Sequence, residues 1–180
     1  MKNECDPLKG AVAGALGGLA GAFLMNYSHT AWSKGSKIVK EALDSQPNVE
    51  KKSDGDADDS SEDENATEKM AEAISKTLFD HELTDDEKKP ASIAVHYGFG
   101  MTMGALFGAI AELEPRAAAG VGLPFGTALW AVADEVVVPA AGLSEKPATY
   151  PLSTHAEALV AHLVFGLTTD LVRRGLRSVS

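Results

Sequence analysis

AAAGVGLPFGTALWAVADEVVVPAA, residues 117–141, is the stretch from which the fold of this 180-residue chain is deduced. It is apolar and long enough to cross a bilayer, which takes about 20 residues of helix. Near its end it carries two adjacent carboxylates, Asp134 and Glu135. Hydrocarbon makes such groups costly unless polar neighbours surround them. We therefore expect residues 117–139 to form a membrane helix whose acidic pair lies in a polar layer shared with other helices.

Three further stretches have the same apolar character, namely residues 10–32, 91–112 and 154–174. Backbone polar groups must be satisfied inside each segment that crosses lipid, which favours helices. The sequence therefore predicts an all-α fold, a four-helix transmembrane bundle that forms a single integral membrane domain over residues 1–180. Its first predicted partner is the lipid bilayer.

The first stretch has an alternative interpretation as a cleaved signal peptide, because Ala20-Gly21-Ala22 resembles a cleavage site. Two acidic residues in the leader, Glu4 and Asp6, are untypical of a signal peptide. The apolar run also continues towards Trp32, as in a helix that ends in an interfacial aromatic belt. These features favour a retained anchor.

The formal charge of −10 belongs mainly to the loop between the first two stretches. Residues 45–65 lack aromatics and are dense in acid, so we expect them to be disordered. The alternation of Asp54, Asp56 and Asp58 resembles a calcium loop, but no glycine occupies the sixth position that such a loop requires. Residues 66–80 then predict a short amphipathic helix. Because acidic surface repels phosphate, nucleic acid is excluded as a partner.

Glycines recur at intervals of four on the first two predicted membrane helices. They are Gly10, Gly14 and Gly18 on the first, and Gly100, Gly104 and Gly108 on the second. This spacing places small residues on one side of a helix, where a second helix can approach closely. We expect these faces to pack helices together, within the chain, between copies of it or against another membrane protein.

The direction of four alternating spans brings seven ionisable residues to the side of the two longer loops. They are His29, His96, Asp134, Glu135, His155, Glu157 and, somewhat deeper, His162. On a regular helix, Asp134 and Glu135 point about 100° apart. We therefore expect that the two carboxylates cannot both face one partner.

Three uses of this polar layer stay open. Hydrogen bonds and ion pairs can fix how the helices dock, and residues near helix ends can simply extend to the headgroups. A proton relay or an ion path is the second use, because intramembrane carboxylates and histidines commonly form one. Imidazole and carboxylate also suit zinc or iron, but no HExxH-type spacing is present. We expect no metal and no cofactor.

The motifs of enzymes are missing from the sequence. No nucleophile–base motif, phosphate loop or dinucleotide fingerprint occurs, so we expect no enzymatic activity. Cys5 is the only cysteine, which excludes an intramolecular disulfide. Two functions remain. The first is a structural or accessory helix-packing membrane component, and the second is a small transporter or proton-handling protein.

Three runs resemble a known family, namely AVHYGFGMTMGALFGAIAE, GTALWAVADEVVVPAAGL and YPLSTHAEALVAHLVFGLTTDLVRRGLR. Over roughly residues 92–177 they are similar to the YagU-like family of small bacterial inner-membrane proteins. The resemblance implies a multi-pass protein of unknown function, with a suggested link to acid tolerance in one branch. It implies no catalytic residues. The acidic segment is longer than the linker that the resemblance leads us to expect.

Orientation depends on the basic residues near the ends of the predicted spans. Six lysines and arginines lie on each side, so their number alone does not decide. The densest cluster consists of Arg173, Arg174 and Arg177 at the end of the fourth span. Because cytoplasmic flanks carry an excess of basic residues, we expect both termini to be cytoplasmic.

Overall fold

The computed structural model describes residues 5–44 and 60–179, and every regular element in these ranges is helical. The main helices are α1 (Pro7–Asp44), α2 (Ser60–Phe79), α3 (Asp85–Leu113), α4 (Leu123–Ala140) and α5 (Leu152–Ser178). Within α4, a π-helical turn, Ala133–Val137, interrupts the regular helix. The prediction of an all-α fold is confirmed for the described residues.

Within the described residues, three helices are long and apolar enough to span a membrane. They are Pro7–Ile38 of α1, all of α3 and all of α4. The fourth predicted span is helical too, as α5, but its composition does not place it in this set. The reason is that α5 carries buried polar and charged side chains, which are Glu157, His162, Thr169, Asp170, Arg173 and Arg177.

Helices α1, α3 and α5 extend beyond their predicted spans, and two further helices begin at a different residue from the one predicted. Helix α2 begins at Ser60 rather than at residue 66, because the acidic sequence of its first turn suits the positive end of a helix dipole. Residues 45–59 of the predicted disordered loop lie outside the described residues. Helix α4 begins at Leu123 rather than at residue 117. The preceding Gly120, Val121 and Gly122 have φ angles of 75°, 55° and 78°, which a right-handed helix cannot contain.

Helix α1 lies at the centre of the bundle, with α3 packed on one side and α5 on the other. The contact with α3 is antiparallel and consists of backbone against backbone. A Cβ atom added to Gly14 would overlap the carbonyl oxygen of Gly104. The same relation holds between Gly10 and Gly108, and between Gly18 and Gly100. The six glycines predicted to pack helices are therefore placed against one another inside the chain.

The other side of α1 contacts α5 through a second pair of glycines. A Cβ atom at Gly17 would lie 2.5 Å from the carbonyl oxygen of Thr169, and Gly21 faces Phe165 and the Thr169 hydroxyl. Helix α4 then packs on the far side of α5, where Gly126 approaches the backbone of Gly166. The helices follow one another across the bundle in the order α3, α1, α5, α4.

Three phenylalanines join the two outer helices to α5. The rings of Phe107 on α3 and Phe125 on α4 stack with centroids 4.4 Å apart. Phe125 also contacts Phe165 on α5 at 5.9 Å. This ring cluster connects α3 to α4 and separates the two ends of the bundle.

The α1–α3 contact predicts the effect of a single added methyl group. Gly104→Ala would force the two helices apart, because its Cβ would lie 2.7 Å from the Cα of Gly18. Overpacking of this kind costs about 1–3 kcal/mol of unfolding free energy. We expect a lower thermal unfolding temperature for purified protein in detergent.

Gly98→Ala on the same helix is the matched control, because its Cβ would meet no atom within 4 Å. This variant should unfold at the wild-type temperature or slightly above it, since alanine is the better helix former. An equal loss of stability in both variants would contradict backbone contact between α1 and α3.

Candidate functional site: a cavity bordered by carboxylate–histidine pairs

A cavity of about 690 Å³ lies at the loop-side end of the bundle. All five helices contribute to its wall, and the loop between α4 and α5 adds Leu143, Glu145, Pro147 and Tyr150. Most lining side chains are apolar, and Phe165 is the lining residue farthest along α5. A largely apolar cavity of this size with a few convergent polar groups is the usual form of a small-molecule site.

Six of the seven residues predicted to form the polar layer line this cavity. They are His29, His96, Asp134, Glu135, His155 and His162. The seventh, Glu157, is buried behind the wall, and its Oε1 lies 3.2 Å from Nδ1 of His29. The structure thus brings all seven residues to one end of the bundle.

The π-helical turn of α4 presents both adjacent carboxylates to α5. Oε1 of Glu135 lies 2.6 Å from Nδ1 of His155, and Oδ2 of Asp134 lies 3.4 Å from Nδ1 of His162. Each carboxylate thus has a histidine partner of its own, and both of these partners lie on α5. A π turn is wider than an α turn, so neighbouring side chains diverge less. The two histidines are seven residues apart and so share one face of α5.

His155 is held between two hydrogen-bond acceptors. Its Nδ1 faces Glu135, and its Nε2 lies 3.0 Å from the carbonyl oxygen of Pro147. Because a carbonyl can only accept, Nε2 donates to it. The 2.6 Å contact on the other side then also needs a proton, on either Nδ1 or the carboxyl oxygen. The His155–Glu135 pair therefore holds a shared proton in either arrangement.

Two of the remaining polar contacts connect α5 and α3 with α1, and a third lies within α5. Glu157 and His29 form a pair whose side chains are 7% and 14% exposed. Nε2 of His96 lies 3.4 Å from the carbonyl oxygen of Ala22, and Nδ1 of His162 lies 2.9 Å from that of Ala158. Each carboxylate–histidine pair within the predicted polar layer therefore includes one residue of α5, either His155, Glu157 or His162.

These contacts form pairs of ionisable groups and not a larger ligand set. Within residues 5–44 and 60–179, no group of three histidine, cysteine or carboxylate side chains is arranged to hold a metal ion. What the arrangement can do chemically is to accept, hold and pass on protons beside an apolar cavity.

A second polar cluster, at the opposite end of the bundle, was not expected from the sequence. From the sequence, the three arginines were identified only as the densest basic cluster near a span end, but Arg173 and Arg177 are buried in ion pairs. Arg177 donates from Nε and Nη2 to the two carboxylate oxygens of Glu112, at 2.8 and 3.0 Å. Asp170, which is 0% exposed, accepts from Arg173 and Arg174 at 2.7 Å.

The signal for this cluster was present in the sequence. Arg173 and Arg174 follow Asp170 by three and four residues, the spacing at which side chains meet on a helix. The contact between Glu112 and Arg177 could not be predicted in the same way, because it joins α3 to α5. We call these five residues the terminal ion cluster, which consists of Glu112, Asp170, Arg173, Arg174 and Arg177.

The fold and the polar contacts define an all-helical protein with three apolar helices that are compatible with a membrane. A family model described as a protein of unknown function (DUF1440) matches residues 58–171. That match covers more than half of the chain, and the chain belongs to the DUF1440 family. The resemblance to YagU-like proteins is consistent with this family. No curated protein and no solved structure matches the chain.

The terminal ion cluster predicts a strong dependence of stability on Glu112. Glu112→Gln leaves the buried Arg177 guanidinium without a charged partner, and breaking such a pair costs roughly 3 kcal/mol of unfolding free energy. Thermal unfolding in detergent measures this loss. The control is Glu114→Gln, two residues away and exposed, which should change the unfolding temperature little. Equal stability of the two variants would show that the Glu112–Arg177 pair contributes nothing measurable.

Proposed function

We propose that this protein is a non-enzymatic, four-span membrane protein that handles protons through its carboxylate–histidine pairs. The observation that carries the proposal is the contact of 2.6 Å between Glu135 and His155, with the Pro147 carbonyl on the other side of the imidazole. A carboxylate and an imidazole in direct contact can pass a proton from one to the other, which is the elementary step of a proton relay.

The fourth span is supported by the distribution of side chains on α5. Most of its charged groups are buried inside the bundle, whereas Val160, Leu167 and Leu171 are exposed; the buried polar and charged residues are Glu157, His162, Thr169, Asp170, Arg173 and Arg177. An apolar exterior with ion pairs inside is what hydrocarbon requires of a helix that crosses it. The low average hydropathy of α5 therefore does not argue against a span.

Lipid contact is also supported on the other helices by large apolar side chains on their outward faces. Examples are Val12, Leu16 and Phe23 on α1, Leu106 and Ile110 on α3, and Val132 and Val136 on α4. An apolar surface this extensive would be unusual for a soluble monomer. We place the protein in a bacterial inner membrane, in line with its resemblance to YagU-like proteins, and its termini in the cytoplasm.

A structural or accessory role is the second candidate, and the glycine contacts favour it. The polar pairs and the α1–α3 interface both hold the helices in register, which is all that such a role needs. Because the six glycines already contact one another, a protein partner or a second copy would bind elsewhere, on the exposed apolar faces.

Proton uptake by liposomes separates the two candidates. Purified protein would be reconstituted with a pH-sensitive dye inside, and uptake would be driven by an imposed potassium diffusion potential. We expect Glu135→Gln to slow the uptake roughly tenfold, because it removes a proton-transfer group. Asp134→Asn should also slow the uptake, since it changes the neighbouring pair.

Glu114→Gln is the matched control, because this carboxylate is exposed at the opposite end of the bundle. Its uptake should equal that of the wild-type protein. Equal uptake by wild-type protein, Glu135→Gln and empty liposomes would rule out proton handling and leave the structural role.

The proposed topology can be tested with the native cysteine. Cys5 is exposed, and three proposed spans separate it from Thr149, which is also exposed. In intact spheroplasts an impermeant maleimide should label Thr149→Cys in a Cys5→Ser background, and should reach native Cys5 only after lysis. Ser178→Cys in the same background should behave like Cys5 if α5 crosses the membrane. Labelling of residues 149 and 178 from the same side would contradict the fourth span.

A further inference from the structure

Apart from the histidines, the charged residues among the described lining of the cavity are all acidic. Three carboxylates line it, on Asp134, Glu135 and Glu145, whereas none of the described lysines or arginines does so. The nearby Lys69 donates its Nζ to the carbonyl oxygen of Leu143 and is not part of the wall. The proton that His155 and Glu135 share leaves that pair without net charge, so the negative charge of the wall comes from Asp134 and Glu145. The cavity therefore offers negative charge and hydrogen-bond acceptors, with no permanent positive charge to oppose a cation.

The remainder of the wall suits a bulky apolar molecule. Met25, Met70 and Met101 contribute flexible, polarisable side chains, and Phe99 and Phe165 contribute aromatic rings. Methionine adapts to ligands of different shape, and aromatic faces attract cations. A volume of about 690 Å³ is in the range of sites for small organic molecules and is far larger than a bare ion needs.

The rim of the cavity lies on the apolar surface of the bundle. Phe99 and Met101 line the cavity, and each is also 45% exposed. Both belong to α3, a helix that is apolar enough to span a membrane. A molecule dissolved in the lipid can thus reach the cavity from the side. This position favours a lipophilic ligand over a hydrophilic one.

We infer that the cavity binds a lipophilic organic cation, whose charge lies near Asp134 and Glu145 and whose apolar groups lie against the methionine and phenylalanine side chains. This inference goes beyond proton handling and does not depend on it. The carboxylates supply the attraction for the charge, and the apolar wall supplies the affinity for the remainder of the molecule.

Equilibrium dialysis of the full chain in detergent tests this inference with two probes of equal shape and opposite charge. Tetraphenylphosphonium should bind with one site per chain, and tetraphenylborate should bind roughly tenfold more weakly or not at all. Asp134→Asn should weaken tetraphenylphosphonium binding roughly tenfold. Equal binding of the two probes would overturn the inference, as would the absence of tetraphenylphosphonium binding.

Two further variants keep the test valid if Asp134→Asn does not fold. Glu145→Gln removes a lining carboxylate from the exposed loop between α4 and α5, and it should also weaken cation binding. Met101→Trp retains every charge but places a large ring at the rim, so it should reduce the binding of both probes. Glu114→Gln, which lies outside the lining, should bind tetraphenylphosphonium as the wild-type protein does. Unchanged binding in both Glu145→Gln and Met101→Trp would assign the cation to another place and overturn the inference.

The result can be distinguished from that of the proton experiment, because dialysis uses no membrane and no gradient. Selective cation binding without proton uptake in liposomes would support the site and reject proton handling. Proton uptake without selective cation binding would support proton handling and reject the cation site.

Discussion

The contact between the backbones of α1 and α3 is the interaction on which the remainder of the structure depends. Helix α1 can occupy the centre of the bundle because glycines on both of its sides allow α3 and α5 to approach it closely. Dispersion and close packing must hold such helices together in lipid, where apolar burial gains little. With α1 so placed, His29 reaches Glu157 at one end, and Glu112 of α3 reaches Arg177 of α5 at the other.

Helix α5 concentrates the polar chemistry of the protein. Its first half provides one member of each of the three carboxylate–histidine pairs that the predicted polar layer forms, and its second half provides four of the five residues of the terminal ion cluster. The ring contacts of Phe107, Phe125 and Phe165 lie between these two polar ends. Ionisable groups are thereby kept away from the middle of the bundle, where charge is most costly in a membrane.

The sequence predicted the helical segments, which follow from hydropathy, and the common end of the polar residues, which follows from the direction of each helix. It did not predict the late start of α4, because a positive φ at Val121 cannot be deduced from an apolar run. It also missed the ion pairs of the arginines. A cluster of arginines near a span end has the same sequence pattern whether it extends to headgroups or pairs with a buried Asp170.

Local pattern thus determined which segments are helical, which of their faces carry glycine and which end of the bundle carries histidine and acid. These properties depend on residues close together in the sequence, so spacing and composition suffice to determine them. Tertiary structure alone decided that glycine faces glycine inside one chain, that the π turn directs Asp134 and Glu135 towards two histidines, and that a cavity remains beside them. Each of these depends on how helices that are far apart in the sequence pack together, and a local sequence pattern does not specify that packing.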